Sequence, residues 1–224
     1  MGSDFVYKEH EYRFVLQGSG REIVLRASRD MFSPAAPDRG TVAMLGFTDF
    51  APGVKVLDLG CGTGIVGFCA LEAGARVIMC DVVPEAVAAA AYNLDSNFDA
   101  EAVERAQVVL SDGFDAVADN DFDVILSNPP YHTDFSVAKR FIEGAFYHLK
   151  TGGRLFMVTK RLTWYKNKLT SMFGGVKVRE SDGYYVFIAE KRQIKPFAAA
   201  QKAQKLQKRQ EARADADLRR QRKN

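Results

Sequence analysis

Residues 58–67 read Asp58-Leu59-Gly60-Cys61-Gly62-Thr63-Gly64-Ile65-Val66-Gly67, and their neighbours decide what the glycines are for. The run before them, Val54 to Leu59, is short and apolar, as a strand covered on both faces is. The run after them, Ile65 to Glu72, reads as a helix. Glycines between the two let the backbone pass close to a ligand, and the helix N-terminus adds free N–H donors. A plain tight turn is the simpler reading of such a loop. Against it stands Asp81, about 20 residues on at the end of the next strand candidate, where a carboxylate accepts from both hydroxyls of a ribose. Strand, loop, helix and distant acid together point to a cofactor that carries a nucleoside.

Working outward, strand-like and helix-like segments alternate. The strands are expected at Val54 to Leu59, Arg76 to Cys80, Gln107 to Leu110, Asp123 to Ser127 and Arg154 to Thr159. Helices fall between and after them at Ile65 to Glu72, Pro84 to Asn97, Val137 to Leu149 and Trp164 to Phe173. Pro84 at the first helical position and Glu85 in the first turn form a strong start signal. The alternation predicts an α/β fold with a doubly wound, Rossmann-like and mostly parallel sheet. It breaks after the fifth strand, where Val176 to Glu180 and Tyr184 to Glu190 flank Ser181-Asp182-Gly183 and predict an antiparallel C-terminal hairpin at the sheet edge. Upstream, Tyr12 to Leu16 and Glu22 to Arg26 form a second hairpin around Gly18-Ser19-Gly20. A loop over Asp30 to Asp38 and a short helix over Gly40 to Phe47 follow it. The expected layout is an N-terminal hairpin and helix over 1–50, the α/β domain over 51–194 and a tail over 195–224.

The 224 residues suit one full-sized domain with an appendage. No apolar run approaches the ~18 residues of a membrane span. Charges occupy the first ten residues where an export signal would be apolar, so a cytoplasmic location is expected. Cys61, Cys69 and Cys80 are odd in number and form no C-x-x-C pair, which with only three histidines argues against disulfides and a zinc site. The net charge of +3 conceals an asymmetry: residues 195–224 carry ten Lys/Arg against Glu211, Asp215 and Asp217, which leaves 21 basic and 25 acidic residues in the body. A mildly acidic body with a basic arm points toward a polyanion.

A dinucleotide-binding loop shares the glycine pattern, and Asp58 separates the two possibilities. A carboxylate there repels a pyrophosphate and attracts a ligand bearing an ammonium or sulfonium group. With Asp58 and the glycines, Asp81 ending strand two, Asp112-Gly113 ending strand three and Asn128-Pro129-Pro130-Tyr131 ending strand four, the chain resembles the class I S-adenosylmethionine-dependent methyltransferases over roughly residues 30 to 190. The resemblance implies that Asp58, Gly60, Gly62 and Gly64 lie against the methionine portion of S-adenosyl-L-methionine. It places Asp81 and Val82 at the ribose, Asp112 and Gly113 at the edge of the adenine, and Asn128 beside the methyl donor. Asp112-Gly113 is also a common turn pair. All these residues sit at carboxyl ends of strands, which in an open parallel sheet share one edge.

The Asn128 cluster has its own chemistry. An exocyclic amine of a nucleobase is a poor nucleophile because its lone pair is delocalised into the ring. Two acceptors aimed at the amine hydrogens help that lone pair localise as the methyl group approaches. The Asn128 side-chain oxygen and the Pro129 carbonyl are suited to this, the prolines stiffen the turn, and Tyr131 offers a face on which a base stacks. No metal and no strong base is required. The motif fits adenine N6, guanine N2 or a glutamine amide alike.

Further stretches narrow the resemblance. Ile125-Leu-Ser-Asn-Pro-Pro-Tyr-His132, Gly144 to Leu155 and Gly183-Tyr-Tyr-Val-Phe-Ile are similar to the small-domain methyltransferases that modify ribosomal RNA at guanine N2. Met31-Phe32-Ser33 and Asp38-Arg-Gly40-Thr41 resemble their cofactor-walling segment. Larger members carry a duplicated N-terminal domain that these residues lack. His132 is a candidate for the substrate pocket or a surface histidine. Lys160, Arg161, Trp164, Tyr165, Lys166 and Lys168 make a basic cluster with interleaved aromatics suited to RNA, or a solvated helix end. On a helix, Lys202, Lys205, Arg209, Arg213 and Arg220 fall along one stripe that tracks an RNA backbone. The readings that stand are an RNA methyltransferase for guanine N2, one for adenine N6 in RNA or DNA, a glutamine-amide methyltransferase, and a cofactor-binding RNA-binding protein without turnover. The oligomeric state stays open.

Overall fold

The structure is a computed structural model and describes residues 10–29, 31, 33–130 and 135–193. In chain order its elements are β1 (His10–Val15), β2 (Glu22–Ala27), α1 (Arg39–Leu45), β3 (Lys55–Leu59), α2 (Ile65–Glu72), β4 (Arg76–Asp81), α3 (Pro84–Asn97), α4 (Ala100–Val103), β5 (Ala106–Leu110), β6 (Phe122–Ser127), α5 (Ser136–His148), β7 (Leu149–Thr159), α6 (Thr163–Phe173), β8 (Lys177–Ser181) and β9 (Tyr184–Glu190). Seven strands form one sheet in the order β5-β4-β3-β6-β7-β9-β8. The five from β3 to β7 run parallel, and β9 pairs antiparallel with both β7 and β8. The α/β class, the parallel sheet and the C-terminal hairpin follow the sequence reading. Sheet growth reverses between β3 and β6, so the carboxyl ends of those two strands flank the switch-point crevice.

Alternating side chains of the strands feed two cores. On one face Val56, Val77, Met79, Val124, Leu126 and Phe156 pack with residues of α1, α2 and α3. On the other, Leu57, Leu59, Ile78, Ile125, Leu155 and Met157 pack with α5 and α6. Helix α2 is buried along Ile65 to Leu71, which explains an apolar sequence with no polar face. Its close seat on the sheet requires Gly67, where a Cβ would come within 2.5 Å of the Met79 side chain.

The β1–β2 hairpin docks on α3 through two asparagines one helical turn apart. The Asn93 amide accepts from the Arg26 N–H at 2.8 Å and donates to the Arg26 carbonyl at 3.0 Å and the Thr63 carbonyl at 3.1 Å. Asn97 repeats the pattern on Val24, accepting from its N–H at 3.0 Å and donating to its carbonyl at 2.9 Å. These amides supply the pairing that a further strand would give to the outer edge of β2. Through Thr63, which also shares a 2.9 Å hydrogen bond with Tyr12, the hairpin is tied to the glycine loop.

Two elements depart from expectation. Strand β7 begins at Leu149, where the sequence suggested the end of a helix and a strand starting only at Arg154. Phe122 pairs with Leu149 and Val124 with Arg154, so the residues between form an irregular bulge that also pairs with Lys191. The short α4 was not foreseen, although Asp99 caps it by accepting from the Ala102 N–H. The tail expected at 195–224, and Tyr131 and His132, lie outside the described residues.

Asn93 is fully buried, so Asn93→Ala strands three backbone groups at once. The expected cost is about 2–3 kcal/mol in a urea titration, and a larger loss than for the half-buried Asn97→Ala.

Candidate active site

The carboxyl ends of β3, β4, β5 and β6 converge around a cavity of about 330 Å³. Gly60, Gly62, Asp81, Val82, Asp112, Gly113, Asn128, Pro129 and Pro130 all line it, with Val137 and Phe141 of α5 closing one side. A second recess of about 60 Å³ lies across the glycine loop and is lined by Tyr12, Ser33, Asp38, Thr41 and Asp58. Gly60, Gly62 and Asn128 line both spaces. Asp58 therefore faces the smaller recess, and Gly64 lines neither: it is the N-cap of α2, with φ +95°.

Each acid is held by backbone N–H groups or by a cation. Asp58 is 2% exposed and accepts from the Gly67 N–H at 2.9 Å. Burial pushes its carboxyl up to about 7; the Gly67 bond opposes this and the charge of Asp81 adds to it. Asp81 accepts from the Gly62 N–H and the Val83 N–H, each at 3.0 Å, so one carboxylate fixes the glycine loop and the turn after β4. Asp112 lines the cavity but gives both oxygens to Arg140 of α5, which holds its carboxyl below the usual range. The turn there is built by the buried Ser111, whose hydroxyl donates to the Gly113 carbonyl at 3.0 Å and accepts from the Ala116 N–H at 2.9 Å.

Asn128 follows β6 directly. The preceding Ser127 donates to the Leu59 carbonyl at 2.7 Å, which ties the ends of β6 and β3 together at the switch point. The Asn128 amide nitrogen donates to Asp38 Oδ2 at 2.7 Å and to Thr41 Oγ1 at 3.1 Å. A carboxylate only accepts, so the nitrogen must face Asp38 and the side-chain oxygen is turned away from it. Ser127, Arg140 and the Asp38–Asn128 pair escaped sequence reading, since each joins residues distant along the chain.

The basic aromatic cluster is divided. Tyr165 is 1% exposed and stacks on Phe187 with centroids 5.7 Å apart, and Lys168 is ion-paired with Glu143. Both serve the α6 packing and are withdrawn from the expected surface. Trp164 stacks on Phe135 at 4.3 Å, the Arg161 guanidinium lies 4.9 Å from the Phe135 ring, and the Lys160 ammonium lies 4.9 Å from the Tyr184 ring. Among the described residues, no group of three or more His, Cys, Asp or Glu side chains is placed to hold a metal ion. No described helix is long and apolar enough to cross a membrane.

The family model of the methyltransferase small domain matches residues 22–188, which take in β2, the glycine loop and the Asn128 turn. The chain belongs to the methyltransferase small domain family. A ribosomal RNA small subunit methyltransferase C from Pseudomonas putida is 33% identical over 167 residues, covering 71% of this chain and 48% of the relative. One from another P. putida strain is 31% identical over 184 residues, covering 79% and 54%. Among solved structures, the T. thermophilus 16S rRNA N2 G1207 methyltransferase in complex with AdoMet and guanosine superimposes with a TM-score of 0.69 at 27% identity, covering 81% of this chain and 51% of that one. The chain thus spans about half the length of the curated relatives it matches.

In this member of the methyltransferase small domain family, burial of Asp58 sets a pH dependence. Its folded-state value lies above the 3.8 of a free carboxyl, so the neutral form is favoured on folding. That contribution is full below pH about 4 and is lost as pH rises through about 7. Asp58→Asn is expected to gain stability relative to the parent between pH 5 and pH 8. Ligand-free denaturation at the two pH values measures it, and a difference independent of pH contradicts the assignment.

Proposed function

We propose that the chain is an S-adenosyl-L-methionine-dependent N-methyltransferase whose acceptor is an exocyclic amine of a nucleobase in RNA, with guanine N2 of ribosomal RNA as the favoured target. The observation that carries the reading is Asn128, held by its nitrogen on Asp38 and Thr41 while its oxygen is turned elsewhere, at the junction of the two spaces.

The donors fit the cofactor. Asp58 faces the smaller recess beside Gly60 and Gly62, where the ammonium of the methionine portion would draw its carboxyl into the charged form, and Gly64 turns the loop into α2. Asp81 accepts from ribose hydroxyls next to the apolar Val82. Gly113 and Asp112, with the Asp112 charge balanced by Arg140, edge the adenine, and Phe141 and Pro129 give it apolar walls. When bound, this cofactor would supply an electrophilic methyl group, its S–CH3 bond breaking to leave S-adenosyl-L-homocysteine.

The remaining work falls to the chain's own residues. Asn128 Oδ1 and the Pro129 carbonyl accept from the two amine hydrogens, which draws the lone pair out of the ring and aims it along one line. Pro130 stiffens the turn, and Tyr131 stacks on the base. No residue need be a strong base, since the nitrogen becomes acidic once a fourth bond forms and its proton leaves to water. The Trp164–Phe135 stack with Arg161 beside it suits a flanking nucleotide, and Lys160, Lys166 and the basic arm over 195–224 suit the phosphate backbone. A cytoplasmic site of action fits a ribosomal RNA target. The basic arm favours nucleic acid over the glutamine-amide alternative.

The test is incubation with methyl-labelled S-adenosylmethionine and, separately, ribosomal RNA, transfer RNA, DNA or protein, followed by nucleoside analysis. Label is expected in N2-methylguanosine of ribosomal RNA and is expected to fall steeply between 50 and 200 mM salt. Label found only in DNA or protein overturns the reading.

A further inference from the structure

Asp38 lies 90 residues before Asn128, outside the strand-end motifs that mark the site, yet among the described residues it makes the shortest hydrogen bond to the Asn128 side chain. The same oxygen, Oδ2, also accepts from the Thr41 N–H at 2.8 Å, which makes Asp38 the N-cap of α1. One carboxylate oxygen therefore locks the start of a helix and the catalytic amide into a single frame. The two hydrogens of Asn128 Nδ2 are both used, one on Asp38 and one on Thr41 Oγ1. Rotation of the amide by half a turn would set Oδ1 against the Asp38 carboxylate, two acceptors in contact with no proton between them. The bonds that hold the nitrogen therefore set the direction of the oxygen.

Helix α1 is seated firmly enough to serve as this reference point. Met44 is fully buried, and Ala43 and Leu45 join the same core. At Gly40 a Cβ would come within 2.8 Å of the Tyr184 ring of β9, so the first turn of α1 packs directly on the sheet. An amide anchored to such an element keeps its direction without the flexibility of a loop.

The geometry points to Asp38 as a positioning residue, seconded by Thr41, that selects the productive orientation of the Asn128 amide. This rests on the reading of Asn128 as an acceptor for the substrate amine. Asp38 also lines the smaller recess, but its positioning role runs through Asn128 and is read at saturating cofactor.

Capping and positioning are separated by the choice of substitution. Serine caps a helix as well as aspartate does but is too short to reach Asn128, whereas asparagine keeps an oxygen where Oδ2 stands. Asp38→Ser is expected to melt within a few degrees of the parent, while kcat at saturating S-adenosylmethionine falls about 10- to 100-fold. Asp38→Asn should restore most of the rate. In the Asn128→Ala background Asp38→Ser should cost nothing further, because the two residues act as one unit. A second readout is independent of turnover: the side-chain amide protons of Asn128, assigned by their loss in Asn128→Ala, should shift and exchange faster in Asp38→Ser. Parental kcat and unchanged amide resonances in Asp38→Ser overturn the proposal, as does a rate loss fully additive with Asn128→Ala. If the parent transfers methyl to no nucleobase, the functional reading fails, and the amide resonances still decide whether Asp38 orients Asn128.

Discussion

The arrangement of this molecule depends on the reversal of sheet growth between β3 and β6. Up to β5 the chain adds strands on one side, and from β6 onward it adds them on the other. The carboxyl ends of β3 and β6 are adjacent, but the connections leaving them diverge. A gap opens that the fold cannot fill with its own backbone. Ser127 bonded to the Leu59 carbonyl ties the two sides of that gap, and Gly67 allows α2 to sit close against β4 while the Gly62 N–H of the loop reaches Asp81 and the Gly67 N–H of the helix reaches Asp58. The glycine loop, the acids and Asn128 take their positions from these contacts.

A doubly wound sheet alone provides the strand ends, and the segment before β3 adds what orients them. The β1–β2 hairpin is fastened to α3 by Asn93 and Asn97, and Asn93 also reaches the glycine loop. Tyr12 approaches the same loop at Thr63. Helix α1 presents Asp38 and Thr41 to Asn128. The family match, which begins at residue 22, accordingly includes part of this segment as well as the sheet.

How much of this was legible in the sequence follows from the range of each interaction. The central strands and α2 and α3 were readable almost residue for residue, because buried parallel strands and capped helices leave local signatures. Strand β7 was shortened in the reading because its first residues are held by Phe122 and Lys191, partners far along the chain. The glycine loop, Asp81 and Asn128 stood out by residue type and spacing. Asn93 and Asn97 drew no separate reading within the helix, and only the edge of β2 shows what they satisfy. Asp38 and Thr41 stood out only through their resemblance to a cofactor-walling segment, with no sign of the α1 cap or of Asn128. Tyr165 and Lys168 looked like part of a nucleic-acid surface, and three-dimensional packing assigns them to the core and to Glu143.

The central claim is that an acceptor on Asn128 activates the substrate amine, which separates binding from chemistry at one residue. Single-turnover methyl transfer from saturating S-adenosylmethionine to ribosomal RNA, compared between the parent chain and Asn128→Ala, tests it most directly. The account predicts a rate lower by at least about 100-fold, with cofactor affinity retained. An unchanged rate in Asn128→Ala would contradict it.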